Sequence, residues 1–284
     1  MPGKEGPGAK KGSDGVRIEV SITNLLRSAL LVVLSFAGNF NLLAQTSPRV
    51  VHVFVALADN KNQRIVPVSA KLGNGQDPEH NLYWGSAYGV KTFFSRSQEW
   101  ELLVQHSKPK SEILERCIFK HRSQNVYLIA DAYQGNQIRQ AIIDFLAAAA
   151  GANPEKVTVK TSSLSVSLNG RGGANLVAYA GHDGFMDFQL AGLPRQANAD
   201  HRDAIILACI SKTYFAPALR TAGATPLVWT TGLMAPEAYT LKSALDGWIL
   251  NEDAQRIRDR AAGAYSKYQK CTLSAARKLL VTGW

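Results

Sequence analysis

From residue 50 onward, short β-branched apolar runs alternate with longer stretches of helical periodicity, and this order constrains the chain to a parallel sheet flanked by helices. The runs are 50–57, 125–130, 175–180, 204–208 and 226–230. The run at 125–130 is continuously apolar, the pattern of a strand buried on both faces. One helix is expected over 137–150, stopped by Gly151, and another over 214–221, ended by Gly223. Helical segments near 235–250, 252–268 and 271–280 follow. The expected fold is α/β, a three-layer α/β/α sandwich with a mostly parallel sheet.

Other segments are read from weaker signals. The connection 58–82 carries the turn pairs Asp59-Asn60 and Asp77-Pro78, and its length marks it as functional or ordered by a hairpin. A helix is expected over 82–94, a short edge strand over 100–105 and a helix around 112–119. The Ser/Thr-rich stretch 152–173 reads as a β-hairpin or a mobile loop.

The amino-terminal 22 residues are rich in Gly, Lys and Ser, and Arg27 leads into an apolar run at 28–38. These 11 residues suit the core of a secretory signal and fall short of the roughly 20 that span a bilayer. Residues 1–44 are therefore read as a signal peptide with an extension, cut after Ala44, and 45–284 as a single α/β domain with C-terminal helices. The expected location is secreted or periplasmic, with no membrane span after signal removal.

Hydrophobic residues make up 46% of the chain and charged residues 19%, which excludes a disordered chain. The net charge of +10 is scattered with no basic stripe, so no nucleic-acid partner is expected. Of the three cysteines, Cys117 and Cys271 are candidates for pairing in an oxidising compartment, which leaves Cys209 as a lone thiol.

In an open parallel sheet, functional groups gather outside the carboxyl ends of the strands. The run 175–180 leads into Gly181-His182-Asp183-Gly184, and the run 204–208 leads into Cys209. A thiol and an imidazole on successive strand ends suit nucleophilic catalysis, because the imidazole takes the thiol proton and a helix N-terminus favours the thiolate. Gly181 and Gly184 would let a substrate backbone approach, and their amides or that of Cys209 would hold an oxyanion. Asp183 and Asp187 are placed to orient His182 or to read a basic substrate side chain, and are equally readable as solvated loop carboxylates.

Asp131 follows the run 125–130 and would line the same mouth, unless it is a helix cap or turn former. Thr230 and Thr231 end the next strand, where a peptide would pair or a specificity pocket would form. Tyr83 and Trp84 are either a substrate wall or a small core under a loop. His182, His201, Asp183 and Asp187 lack an i, i+4 histidine pair and no CxxC unit is present, so no metal is expected. No phosphate-binding GxxxxGK[ST] loop occurs, and no cofactor is expected.

The order of apolar strand, His182, Gly184, apolar strand and Ala208-Cys209 resembles the cysteine peptidases of the caspase–hemoglobinase fold (clan CD), which include legumains, caspases, gingipains, clostripain and separases. Ala208-Cys209-Ile210-Ser211 is similar to the legumain Ala-Cys-x-Ser block, and Val228-Trp229-Thr230-Thr231 sits where those proteins have their next strand. Asp183 stands between His182 and Gly184, where the families have His followed at once by Gly. The resemblance implies a caspase-like sheet, a catalytic dyad of Cys209 and His182, and a peptide or protein substrate. The expected function is a secreted or periplasmic cysteine peptidase, with a non-catalytic peptide- or ligand-binding module on the same scaffold as the alternative.

Overall fold

The computed structural model describes residues 47–284, so the expected signal peptide lies outside the described residues. Five strands run parallel: β1 (Arg49–Ala56), β4 (Val126–Tyr133), β7 (Leu176–Ala180), β8 (Asp203–Leu207) and β9 (Thr225–Thr230). Two antiparallel strands, β2 (Trp100–Lys110) and β3 (Ile113–His121), extend the β4 side. The short β10 (Leu280–Val281) closes the other side against β9. The sheet order is β10-β9-β8-β7-β1-β4-β3-β2, so successive parallel strands step outward on opposite sides of β1. That reversal beside β1 is a topological switch point, where open α/β sheets form crevices at their carboxyl ends.

Alternation along each strand divides the core between two faces. On β1, Val51, Val53 and Val55 pack on one face with Ala244, Leu245 and Ala261. Val50, Phe54 and Ala56 pack on the other with Ile142, Phe145 and Phe215. The first face carries α4 (Ala238–Ile249) and α5 (Ala254–Gln269), and the second carries α2 (Ile138–Ala149) and α3 (Ser211–Ala222). The result is the expected three-layer α/β/α arrangement. No helix among the described residues is long and apolar enough to cross a membrane.

Several local expectations are corrected. The segment around 112–119 is strand β3, because Ile113, Cys117, Ile118 and Phe119 are buried between β2 and β4. The expected helix 82–94 shrinks to α1 (Val90–Ser95), since the chain before it turns tightly. Gly85 lies against neighbouring backbone, where an added Cβ would meet the Glu79 carbonyl at 2.1 Å. The connection 58–82 contains turns, with Asn81 donating through Nδ2 to the Ala58 carbonyl (2.8 Å) and accepting the Ala58 N–H (3.0 Å). Residues 152–173 hold a true hairpin, β5 (Glu155–Lys160) and β6 (Ser165–Gly170). Helix α3 begins three residues earlier than expected and ends at Gly223, whose φ of 79° supplies the left-handed cap.

Cys117, Cys209 and Cys271 are all free thiols, so the candidate pair of Cys117 and Cys271 is not joined. Cys117 is buried in β3 and burial raises its pKa. After α5, α6 (Leu273–Leu279) leads to β10, and this tail is tied to β9 at several points. The Trp229 Nε1–H donates to the Gly283 carbonyl (3.0 Å), and the Thr231 N–H to that of Leu279 (2.9 Å).

Candidate active site

The strand ends of β7 and β8 bring His182 and Cys209, 27 positions apart in sequence, to the wall of one cavity of about 210 Å³. Gly181 lines it as well. The loop after β1 contributes Arg64, Ile65 and Val66, and Tyr83 closes one side. Met186 follows His182, and Leu233, Met234 and Pro236 follow β9. The cavity thus lies at the carboxyl ends of the strands beside the β1 switch point.

The turn that carries Cys209 is held tightly. Ile210 has φ 52°, a strained conformation for a β-branched residue, and its N–H donates to the Gly232 carbonyl (2.9 Å). Ser211 opens α3 with its hydroxyl donating to the Ile206 carbonyl (3.0 Å), and its N–H donates to Thr230 Oγ1 (3.1 Å). The Thr230 hydroxyl in turn donates to the Ala208 carbonyl. Thr230 is fully buried and braces the Cys209 turn from behind, outside the cavity. Thr231 is exposed and holds the Lys278 carbonyl (2.7 Å).

The thiol is half-buried. It donates to the Met234 carbonyl (Sγ···O 3.6 Å) and accepts the Met234 N–H (3.4 Å). Burial raises the Cys209 pKa and the carboxyl of Asp183 adds to the shift, while the Met234 contact opposes it. The resting group is therefore a protonated thiol. It makes no hydrogen bond with His182 among the described residues.

His182 is held from two sides. Its Nε2 lies 2.8 Å from Asp187 Oδ2, and because a carboxylate only accepts, Nε2 carries the proton. The backbone carbonyl of His182 accepts the Tyr179 hydroxyl (2.7 Å). No partner for Nδ1 is found among the described residues, so the second ring nitrogen remains available as an acceptor. Asp187 is thus the orienting carboxylate, and its Oδ2 also accepts the Arg64 N–H (3.4 Å).

Asp183 is fully buried and caps the next turn, with Oδ1 accepting the Phe185 N–H (3.0 Å). Its Oδ2 has no partner. Burial pushes its pKa up to about 7, and the nearby Asp187 charge acts in the same direction. Gly181 adopts φ 153°, and a Cβ there would meet the Ala56 carbonyl at 2.9 Å. Its N–H donates to the Leu207 carbonyl (3.2 Å), so that amide is not free for an oxyanion. Gly184 is buried under Phe188 and Ile142 and does not line the cavity.

Asp131 is not at the cavity. Strand β4 continues past Ala130 to Tyr133, and Asp131 is fully buried within it. Arg116 grips both its oxygens (2.6 and 2.8 Å), and His52 Nε2 lies 3.0 Å from Oδ2. Arg116 and Arg171 also pair with Glu155, and Arg171 pairs with Asp144 (2.9 Å). These ion pairs hold the Asp131 carboxyl well below its usual pKa against the opposing effect of burial, and lower that of Glu155 to about 2.

Tyr83 and Trp84 part company. Tyr83 faces the cavity, whereas Trp84 is buried and its Nε1–H donates to Glu115 (2.5 Å). No signal in the sequence marked residues 64–66 or 233–236 as walls of the same cavity. Their meeting depends on two loops more than 160 positions apart.

No cluster of three or more histidine, cysteine, aspartate or glutamate side chains that could hold a metal occurs among the described residues. Comparison with family models, with curated proteins and with solved structures finds no match to this chain.

Proposed function

We propose that the chain is a thiol hydrolase acting on peptide bonds, with Cys209 as nucleophile and His182 as general acid and base. The carrying observation is that Cys209 and His182 line one cavity while Asp187 holds the far nitrogen of the ring at 2.8 Å. This arrangement supports Cys209 as nucleophile, His182 as base and Asp187 as the group that orients the ring. The resemblance to caspase–hemoglobinase fold peptidases agrees with this reading, and the apolar run at 28–38 supports a secreted or periplasmic location.

In the proposed reaction the Cys209 side chain leaves Met234 and passes its proton to His182 Nδ1. The thiolate attacks the scissile carbonyl carbon and an oxyanion forms. The C–N bond then breaks as the imidazolium protonates the leaving amine, which leaves a thioester on Cys209. Water attacks the thioester with His182 taking its proton, the C–S bond breaks, and the proton returns to the sulfur. The amide of Cys209, at the N-terminal end of the twelve-residue α3, is the favoured oxyanion donor.

The thiol contact with Met234 favours a second reading, a peptide-binding module in which Cys209 stays inert. Peptidase assays on Cys209→Ala and His182→Ala separate the two. Each substitution is expected to lower turnover by about 10³-fold or more. Unchanged turnover, or unchanged labelling by an acylating inhibitor in Cys209→Ala, removes the hydrolase assignment.

A further inference from the structure

The walls of the cavity beside Cys209 are mostly apolar, and several of them face solvent. Val66 is 84% exposed, Leu233 70% and Met186 39%, and all three meet at this one opening. Apolar side chains left in water and gathered at a concave site mark a surface that is covered when a ligand binds. Met186 and Met234 both line the cavity, and besides Met1 they are the only methionines in the chain. Methionine is unbranched and polarisable, so it adapts its shape to an apolar guest.

Charge recognition is poorly provided for in the same place. Asp187 is engaged by His182 and by the Arg64 N–H, and Asp183 is buried behind the wall, capping Phe185. Neither carboxylate lines the cavity, and the unpartnered Asp183 Oδ2 is fully buried, out of reach of an arginine or lysine side chain seated there. The one charged wall residue, Arg64, is exposed, where water and salt weaken its pull on an acidic group.

We infer that the substrate side chain seated beside Cys209 is large and apolar, of the leucine, methionine or phenylalanine kind, and belongs to the residue on the acyl side of the cut. This rests on Cys209 being the nucleophile. The acyl-side residue is bonded directly to the carbonyl that Sγ attacks, so its side chain is the one that settles in a cavity that Cys209 itself lines. Asparagine, aspartate or arginine in that place would bring polar atoms to walls that offer them few partners. A pocket of this kind discriminates by desolvation, because the polar groups of the wrong substrate lose water without recovering hydrogen bonds.

The test uses peptidyl acyloxymethyl ketones that share one peptide and differ only in the residue next to the warhead: phenylalanine, leucine, aspartate, asparagine or arginine. Labelling rates at Cys209 are read by mass spectrometry on the intact protein. The phenylalanine and leucine probes are expected to label Cys209 at least about tenfold faster than the other three. Leu233→Asp, a change at an exposed rim position, is expected to lower the phenylalanine rate about tenfold relative to iodoacetamide, which reports access to the thiol in the same variant. If the aspartate, asparagine or arginine probe is fastest, or all five react alike at Cys209, the apolar preference is overturned and the nucleophile stands. If every peptidyl probe leaves Cys209 unlabelled, the nucleophile assignment falls and takes the preference with it.

Discussion

Four histidines lie within 3.0 Å of an aspartate among the described residues, and the two whose rings are buried, His52 with Asp131 and His182 with Asp187, behave in opposite ways. His52 and Asp131 are fully buried, and both ring nitrogens of His52 are occupied: Nε2 by Asp131 (3.0 Å) and Nδ1 by the Arg171 N–H (2.8 Å). Burial and the flanking Arg116 and Arg171 charges hold this imidazole below its ordinary pKa, with Asp131 opposing them. His182 and Asp187 are as close, at 2.8 Å, but only one ring nitrogen is used and the ring lines a cavity with a thiol. A saturated pair locks strands together, whereas a half-used pair at an opening can move a proton. The separation of histidine and carboxylate does not tell the two apart; the second nitrogen does.

The comparison can be broken most forcefully at Asp131. Asp131→Ala leaves His52 Nε2 buried without its acceptor and Arg116 with Glu155 alone, and the expected loss in unfolding free energy is about 3–5 kcal/mol. Urea titration measures it, and a loss below about 1 kcal/mol would show that the network does not hold the strands together.

Asp183 gives the next largest effect, and it depends on pH. Its folded-state pKa is raised to about 7, so between about pH 4 and 7 the folded chain keeps a proton that the unfolded chain has released. The stability from this group is complete below about pH 4 and is lost as pH rises through 7. Asp183→Asn removes that slope, so the variant gains about 2–4 kcal/mol over the native chain between pH 4 and 8. An equal difference at the two pH values would mean that Asp183 does not titrate in this window.

The smallest effect on stability is expected at Asp187, which is partly open to solvent. Asp187→Ala is expected to change unfolding by less than about 1 kcal/mol while slowing the proposed peptide hydrolysis at least about tenfold, because the ring of His182 loses its orientation. If Asp187→Ala destabilises as much as Asp131→Ala, the two pairs are alike and the contrast drawn between them is wrong.

The continuous apolar runs that became β1, β4, β7, β8 and β9 were legible in the sequence because strands buried on both faces have no polar face to obscure them. The meeting of Cys209 and His182 at one cavity was legible too, since Cys209 directly follows one such run and His182 follows another with Gly181 between. Strand β3 was not legible, because its buried Glu115 and Arg116 make it read as polar until their partners are seen across the sheet. The same ion pairs hid the true end of β4: Asp131 looks like the residue after a strand, but Arg116 lets the strand continue through it. The role of Thr230 as a brace, and the walls supplied by residues 64–66 and 233–236, arise only from tertiary contacts. Spacing along the chain carries no trace of them.

The strap formed by β10 has a consequence for how the protein behaves in company. Strand β9 carries the brace for the Cys209 turn, and without β10 it would end the sheet as a bare edge, with Val228 and Trp229 ready to template a strand from another molecule. A two-residue strand, the Gly283 carbonyl on Trp229 and the ring of Trp284 at 5.4 Å from it cover that edge. Very short edge strands are a recognised guard against aggregation, since they leave too few free amides and carbonyls to recruit a neighbour. Here the guard closes a loop of about fifty residues, and loop closure of that length is entropically slow to complete. Whenever residues 280–284 are detached, β9 is left as an open edge through which copies of the chain can associate.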